Sequence, residues 1–542
     1  MFKHFFQRKS PSNAVREESL TDNPARTDEG ELPRRISLWQ LTLMGVGTTL
    51  GTGIFFALAE TVPLAGPGVL LSFLLAAMTA GLTALCYAEV STALPVSGSS
   101  YTFTYVTMGE GIAVMVGACL ILEWGIAGAA VAVGWSSYLN ELIELVSGFQ
   151  IPALWRQSPF QSHVTGLQWG GEGHLNLPAA VLVWLCVVIL LRGSTESAKL
   201  NACLTLTKLL VLLLFIGMSL QVFTRVHFHP FMPHGFEGIG SAAAIIFFSF
   251  VGLDAVVNAS EEVINPQRNI PIAMIMALLV VTTVYVLVAF SSLGVQPAEA
   301  FVGRQAGLTA ILQLATGNNL SSVVLALGAV VSIFSVTLIS LFGQARIYFA
   351  MARDGMMPST FKHLHPQTFC PTHATLLSAA VVTPLAAFLP SHVLWGLVSM
   401  GTLVVFLAVA VALIILREQS KRPTGHQTTT ASKVFRVPGY PVTPLLSIAS
   451  CVYLLSNLSV VVYVLFALWM ALALLFYFLY ARHGTARERE PQTQRQHRRQ
   501  HHHQQHPIGA QLTAAPQSET DPSLQADQTS SSCFEPLDPK HP

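Results

Sequence analysis

The groups best placed to do chemistry in this chain are backbone groups. In LMGVGTTLGTGIFFALAETVP, residues 43 to 63, glycines at 45, 47, 51 and 53 interrupt an apolar run where a membrane-spanning helix should pass. Three readings compete. A dinucleotide fingerprint needs G-x-G-x-x-G after a soluble strand, whereas GVGTTLG has one residue too many and lies inside the run. Gly47 and Gly51 also form a GxxxG face that lets a neighbouring helix approach closely. The third reading is a discontinuous helix, whose unwound backbone offers N–H and C=O groups to a substrate cavity, the setting in which a bilayer interior tolerates them. Such breaks come in pairs, in the corresponding first helices of two inverted repeats. A second stretch, AAAIIFFSFVGLDAVVNASEE at 242 to 262, is interrupted by Gly252 and Asp254 and lies five spans after the first. The pairing favours the discontinuous helix.

Two charged side chains lie deep in apolar runs: Glu123 in ILEWGIAG and Lys208 in LTLTKLLVLLLFIGM. Each costs about 2.5 to 3.5 kcal/mol at the bilayer centre on insertion scales, so each needs a partner or a purpose. Glu89 and Asp254 sit nearer one face, where they either tie helices together or are solvated, as do Glu261, Glu262, Arg268, Arg353 and Asp354. The spans hold no convergence of nucleophile, base and metal ligands, such as two histidines on one helix face, and an intramembrane enzyme is not expected.

These residues need a membrane scaffold to position them, and composition supplies one. Of 542 residues, 52% are hydrophobic and 11% charged, against about 25% charged in soluble domains. Stretches of about 20 apolar residues, enough to cross about 30 Å of hydrocarbon, predict twelve spans near 37–60, 64–88, 111–143, 177–191, 198–222, 237–258, 271–293, 320–350, 375–390, 393–416, 442–457 and 459–480. With the N-terminus inside, 25 of the 29 Lys and Arg residues fall on the cytoplasmic side, which predicts cytoplasmic termini. The seven cysteines lie in spans, an inner loop or the inner tail, so no extracellular disulfide framework is expected. The first 36 residues are polar and do not read as a cleavable signal peptide. They and the Gln/His/Arg-rich tail, 481–542, carry too little apolar surface to pack and are expected to be disordered. The tract RQHRRQHHHQQH at 495 to 506 reads as solvated tail, with metal binding the alternative.

A series of motifs in order along residues 36 to 480 resembles the amino acid-polyamine-organocation superfamily, and within it the bacterial-type cationic amino acid transporter branch. They are GVGTTLGTGIF, AGPG, CYAEV, SGSSYTFTYVTMGE, LEWGIAGAAVAVGWSSY, RGSTESAKLNACLTLTKLLVLLLFI, FFSFVGLDAVVNASEEVINPQRNIPI, FGQARIYFAMARDGMMPSTFKHLHP and FRVPGYPVTPLLSI. Leu50 replaces the usual isoleucine, and Ser97, Ser99 and Ser100 vary a small-residue run. The resemblance implies an all-α integral membrane fold of twelve helices, in two inverted five-helix repeats with discontinuous first helices (1 and 6), plus two extra helices. The organisation is then a tail at 1–36, repeat one at 37–222, repeat two at 237–417, a cytoplasmic loop at 418–441, helices 11 and 12 at 442–480, and the tail at 481–542.

The resemblance also implies a secondary active transporter of amino acids, cationic ones such as arginine, lysine and ornithine, working by alternating access in a plasma or inner membrane. Broad or neutral specificity, and a non-transporting sensor, are the alternatives. The amino acid carboxylate would meet the backbone of Gly51, Thr52 and Gly53 at the restarted half-helix, with the Thr52 hydroxyl as an added donor. The ammonium would meet carbonyls at Thr49, Phe248, Ser249 and Val251. Phe248 would lie over the substrate as a gate, or else pack beside Phe247 and Phe250. Glu123 would contact a basic substrate side chain, or anchor polar neighbours. Lys208 would point to the broken first helix and, by gaining and losing a proton, couple transport to protons; a snorkelling lysine is the alternative. The expected partners are amino acid, protons and the lipid bilayer; no cofactor, metal or nucleic acid is expected.

Overall fold

The computed structural model describes Arg8 and residues 36–482, apart from 51–52, 95–98, 164–165, 171–172, 193–197, 259–262, 302–306, 366–369 and 421–434. The expected tails, most of the 418–441 loop, Glu261 and Glu262, and the head-group residues Gly51 and Thr52 therefore lie outside the described residues.

Ser37 opens the first helix with a capping box: its backbone N–H donates to Gln40 Oε1 at 3.0 Å, and the Gln40 N–H donates to Ser37 Oγ at 3.5 Å. Helix α1 (Leu38–Thr49) stops at Leu50, whose extended backbone ends the ladder, and α2 (Ile54–Ala65) restarts after Gly53. Next come α3 (Val69–Ala93), α4 (Ser99–Thr107) and α5 (Glu110–Ser147), the last ended by Gly148 in a left-handed conformation. A hairpin of β1 (Phe160–His163) and β2 (Gly166–Trp169) follows, with Phe160 opposite Trp169. This short hairpin lies in the connection before α6, and the described residues are otherwise nearly all helical. Helices α6 (Leu177–Leu191), α7 (Ala198–Ser219) and α8 (Gly235–Ile246) lead to a 3-10 turn at Phe247–Phe250 and the short α9 (Ala255–Asn258). The remainder is α10 (Pro266–Val295), α11 (Gly307–Thr316), α12 (Asn319–Arg353), α13 (Thr372–Phe388), α14 (Ser391–Ser420), α15 (Val442–Ser456) and α16 (Val460–Phe476).

Among the described residues, eight helical stretches are long and apolar enough to cross a membrane. The expected fourth, ninth and eleventh spans appear as the shorter apolar helices α6, α13 and α15. Burial separates the centre from the periphery: 89% of the apolar window of α5 and of Gly235–Val257 is buried, against 11% of that in Val460–Ala481. The chain thus wraps α5 and the interrupted sixth span in other helices and leaves the last helix turned outward. Helix α5 packs on α12, α13 and α14, while α1 packs on α7 and α10.

One ion pair pins the face at which the first helix begins. Glu89 near the end of α3 takes Arg417 Nε at 2.6 Å and Nη2 at 2.5 Å, and also the Val437 N–H at 2.6 Å. Arg417 in turn lies 4.1 Å from the Tyr440 ring centroid. Glu89 thus ties helices together, joining α3, α14 and the segment that leads into α15. On the same face Ile36 forms a parallel bridge with Val263, so the lead into α1 is bonded to the exit from the sixth span.

The two ends of this clasp are unequal. Arg417→Met leaves a buried carboxylate without counter-charge and is expected to lower stability by about 3 to 5 kcal/mol. Glu89→Gln keeps one acceptor oxygen and leaves unpaired the partly exposed Arg417 rather than a buried carboxylate, so it is expected to lose less. Thermal unfolding of the purified full chain checks the order, and equal midpoints for both variants contradict it.

Candidate substrate site between two interrupted helices

Apolar sequence drives both stretches into the core, so the backbone that leaves the helix at each break must find partners there. Some come from the other break and some from a neighbouring helix. The Thr48 hydroxyl, one residue before the end of α1, lies 2.9 Å from the Gly252 carbonyl. Gly252 sits at φ +103, where an added Cβ would meet Thr48 backbone and side-chain atoms at 3.1 Å. Conversely, a Cβ on Gly53 would lie 1.7 Å from Ser249 Oγ. Glycine at these two places lets the breaks touch, and at Gly252 it also supplies the left-handed backbone.

The three described glycines of the first stretch, Gly45, Gly47 and Gly53, divide by task. A Cβ on Gly45 would meet Val256 Cγ2 at 2.8 Å, and one on Gly47 would meet Thr205 Oγ1 at 2.1 Å. Both therefore serve close helix packing, as the GxxxG reading expected of Gly47. Gly53 serves the contact between the breaks.

Tyr285 of α10 stands where the two breaks meet. Its hydroxyl lies 2.8 Å from the Thr49 carbonyl and 3.0 Å from the Ser249 carbonyl, so one proton is shared between two of the groups expected to hold an ammonium. The Phe248 carbonyl accepts the Val251 N–H at 3.1 Å, and Val251 is extended. Ser249 Oγ is buried without a hydrogen-bond partner among the described residues.

The position expected to gate the site is occupied by a ring stack. Phe248 is buried and stacks on Trp395 of α14 with centroids 4.3 Å apart, and Trp395 stacks on Phe56 of α2 at 5.5 Å. Tyr138 of α5 holds α2 from the other side, donating its hydroxyl to the Phe55 carbonyl at 3.0 Å and meeting the Phe56 ring edge-on. Tyr285, Trp395, Phe56 and Tyr138 were not singled out by sequence. Apart from Phe56 and Tyr138, which fall within quoted motifs, no local pattern marks them.

Lys208 is fully buried, and its Nζ donates to the Gly47 carbonyl at 3.2 Å, which places its ammonium on α1 just before the break. Glu123 is buried in α5 beside Thr402 of α14, interacts electrostatically with Asp254, and its Oε2 has no hydrogen-bond partner among the described residues. Asp254 follows the second break and accepts backbone N–H groups there, with Oδ2 left over. The structure thus brings Thr49, Gly53, Phe248, Ser249 and Val251 together with Lys208 behind them, and sets Glu123 with Asp254. Among the described residues no group of three His, Cys, Asp or Glu could hold a metal.

Known proteins resemble this chain over most of its length. The family model described as amino acid permease matches residues 36–487. The branched-chain amino acid permease BcaP of Bacillus subtilis (strain 168) is 39% identical over 472 residues, covering 87% of this chain and 98% of that one. The methylthioribose transporter of the same organism is 37% identical, with 87% and 98% covered. The chloroplastic cationic amino acid transporter 9 of Arabidopsis thaliana is 34% identical, with 78% and 73% covered.

Two substitutions test the contact between the breaks. Gly53→Val forces atoms into Ser249, and is expected to abolish binding of a labelled amino acid while the protein remains inserted and monodisperse. Wild-type affinity in folded Gly53→Val protein contradicts the assignment. Tyr285→Phe removes the shared donor and leaves two buried carbonyls short of a partner, an expected loss of about 1 to 3 kcal/mol, read as a lower unfolding midpoint with weakened amino acid binding.

Proposed function

The chain belongs to the amino acid permease family, within the amino acid-polyamine-organocation superfamily, and on that premise we propose that it carries free amino acids across a membrane by alternating access. It is a multi-pass membrane transporter rather than an enzyme. The observation that carries the proposal is the reciprocal meeting of the two helix breaks, with the positive end of α2 and the carbonyls of Thr49 and Ser249 converging on one place. A zwitterion losing its water needs both kinds of group at once. In this reading the carboxylate lies at the head of α2 on the backbone of Gly51, Thr52 and Gly53, and the ammonium lies on carbonyls of Thr49, Phe248, Ser249 and Val251. Phe248, backed by Trp395, closes over it.

The proposed organisation is twelve spans with both termini cytoplasmic, in two inverted halves, 37–222 and 237–417, followed by helices at 442–480. The side-chain class is proposed as neutral and apolar first. The branched-chain permease matches over nearly its whole length, and the rings of Phe248, Trp395 and Phe56 close one end of the site. The cationic reading is the second, and a specific observation favours it: buried Glu123 and Asp254 each keep an oxygen without a partner, an acidic pair that a basic side chain would neutralise.

Coupling is proposed to be to protons through Lys208. Its ammonium on the Gly47 carbonyl stands where a bound cation would support the broken helix. Loss and return of that proton, as the cavity opens to alternate sides, would couple the helix break to the gradient.

Uptake by the purified chain in liposomes tests these statements together. An inward proton gradient is expected to drive accumulation of isoleucine without sodium, and Lys208→Ala is expected to bind substrate yet lose accumulation. Unlabelled isoleucine is expected to compete at least tenfold better than arginine. The reverse order selects the cationic reading, and accumulation by Lys208→Ala under a proton gradient removes Lys208 from coupling.

A further inference from the structure

The end of α3 and the start of α4 meet at the face where the first helix begins, and each is held by different neighbours. Helix α3 packs on α8, α10 and the 3-10 turn at Phe247–Phe250, α4 packs on α5, and α14 touches both. Tyr101 seats α4 among its neighbours: its hydroxyl lies 2.8 Å from Asp354 Oδ2 at the end of α12, and a Cβ on Gly117 of α5 would meet its Cδ2 at 3.3 Å. Its chain neighbour Ser100 bonds the other way. Ser100 Oγ and the Tyr87 hydroxyl of α3 lie 2.5 Å apart, and both residues are buried.

Local sequence explains why these two hydroxyls are free for each other. Thr104 and Thr107 of α4 each donate to a carbonyl four residues back, at 2.7 Å, as hydroxyls within helices do. Ser100 lies in the first turn of α4, where no earlier turn of the helix offers a carbonyl, so its hydroxyl turns to Tyr87. The Tyr87 ring meets Phe406 of α14 edge-on at 5.5 Å, and Phe406 meets Phe247 edge-on at 5.5 Å. Phe247 opens the 3-10 turn and directly precedes Phe248, the residue expected to gate the site. A line of contacts therefore runs from Asp354 through α4, Tyr87 and Phe406 to the second break. The ring alone would fill the space on Phe406; the hydroxyl is what ties it to α4.

The residues of both breaks, Thr49, Phe248, Ser249 and Val251, are buried, so the site is closed toward this face. We propose that Tyr87 is a positioning residue for transport: bonded to Ser100, it holds the second break in the arrangement closed toward the face where α1 begins, and release of that bond accompanies opening there. This rests on the transport reading and deepens it. Alternating access needs an element with two arrangements whose balance can be shifted. The hydroxyl pair meets that need, because α3 and α4 have different neighbours and the pair parts without breaking either helix's own hydrogen bonds.

Tyr87→Phe keeps the ring and removes the bond, and Ser100→Ala removes it from the other side. The test measures the KM for isoleucine separately at the two faces of the full chain, in liposomes of a single orientation. Apparent affinity at a face scales with the fraction of chains open there. Both variants are therefore expected to lower KM at the α1 face at least threefold without lowering it at the opposite face, and the double variant is expected to go no further than either single one. KM values that rise together at both faces, that stay as in wild type, or that shift additively overturn the proposal. Hydrogen exchange of the purified full chain supplies a readout without transport. Ser100→Ala, a change in α4, is expected to speed exchange at least threefold in the Phe247–Phe250 turn as well as in α4, and faster exchange confined to α4 overturns the tie. Absence of isoleucine uptake by wild type, with exchange in the turn still dependent on Ser100, overturns the transport reading instead and leaves the tie between Tyr87 and the second break standing.

Discussion

Everything in this structure depends on one constraint: peptide groups that leave a helix inside an apolar core must be bonded there. The chain meets it by setting two breaks against each other. The Thr48 hydroxyl serves the Gly252 carbonyl, and the Tyr285 hydroxyl serves Thr49 and Ser249 together. A restarted helix begins with N–H groups that no earlier turn satisfies. On the proposed transport reading, a ligand with one acid and one ammonium would bond to the backbone at these breaks.

Charge is arranged around that centre by the same logic. Lys208 puts an ammonium on the Gly47 carbonyl, one turn before the first break, while Asp254 follows the second break and interacts electrostatically with Glu123. Glu89 and Arg417 neutralise each other at the face where the chain enters, 328 residues apart in sequence. Glu60 lies on the restarted half-helix and accepts the Ser391 hydroxyl. A positive group thus sits against the first helix and two buried carboxylates lie by the second break and on α5.

Much of this was legible in the sequence, because the governing signals are local. Glycine inside an apolar run marks both breaks, and α1 ends at Thr49 and the 3-10 turn at Phe250 close to where GVGTTLGTG and SFVGLD suggested. Lys208 was visible as a lone charge in a leucine-rich run. What the sequence hid are side chains whose partners are remote backbone: Tyr285 meets Thr49 across 236 residues and sits in an ordinary apolar helix. Trp395 is one aromatic among many until the stack on Phe248 gives it a role. The division of the glycines, with Gly45 and Gly47 packing helices and Gly53 touching Ser249, also needs three dimensions, since all four look alike in the string. The β1–β2 hairpin escaped because its short strands lie in a polar connection where no span was sought.

The central claim is that the amino acid is held by backbone, between the two breaks. A density map of the full chain with bound isoleucine tests it most directly. The account predicts the carboxylate within about 3 Å of N–H groups at the head of α2 and the ammonium within the same distance of carbonyls at Thr49 and Ser249, with the Phe248 ring above. Isoleucine found elsewhere, its head group held by side chains away from the breaks, would contradict it.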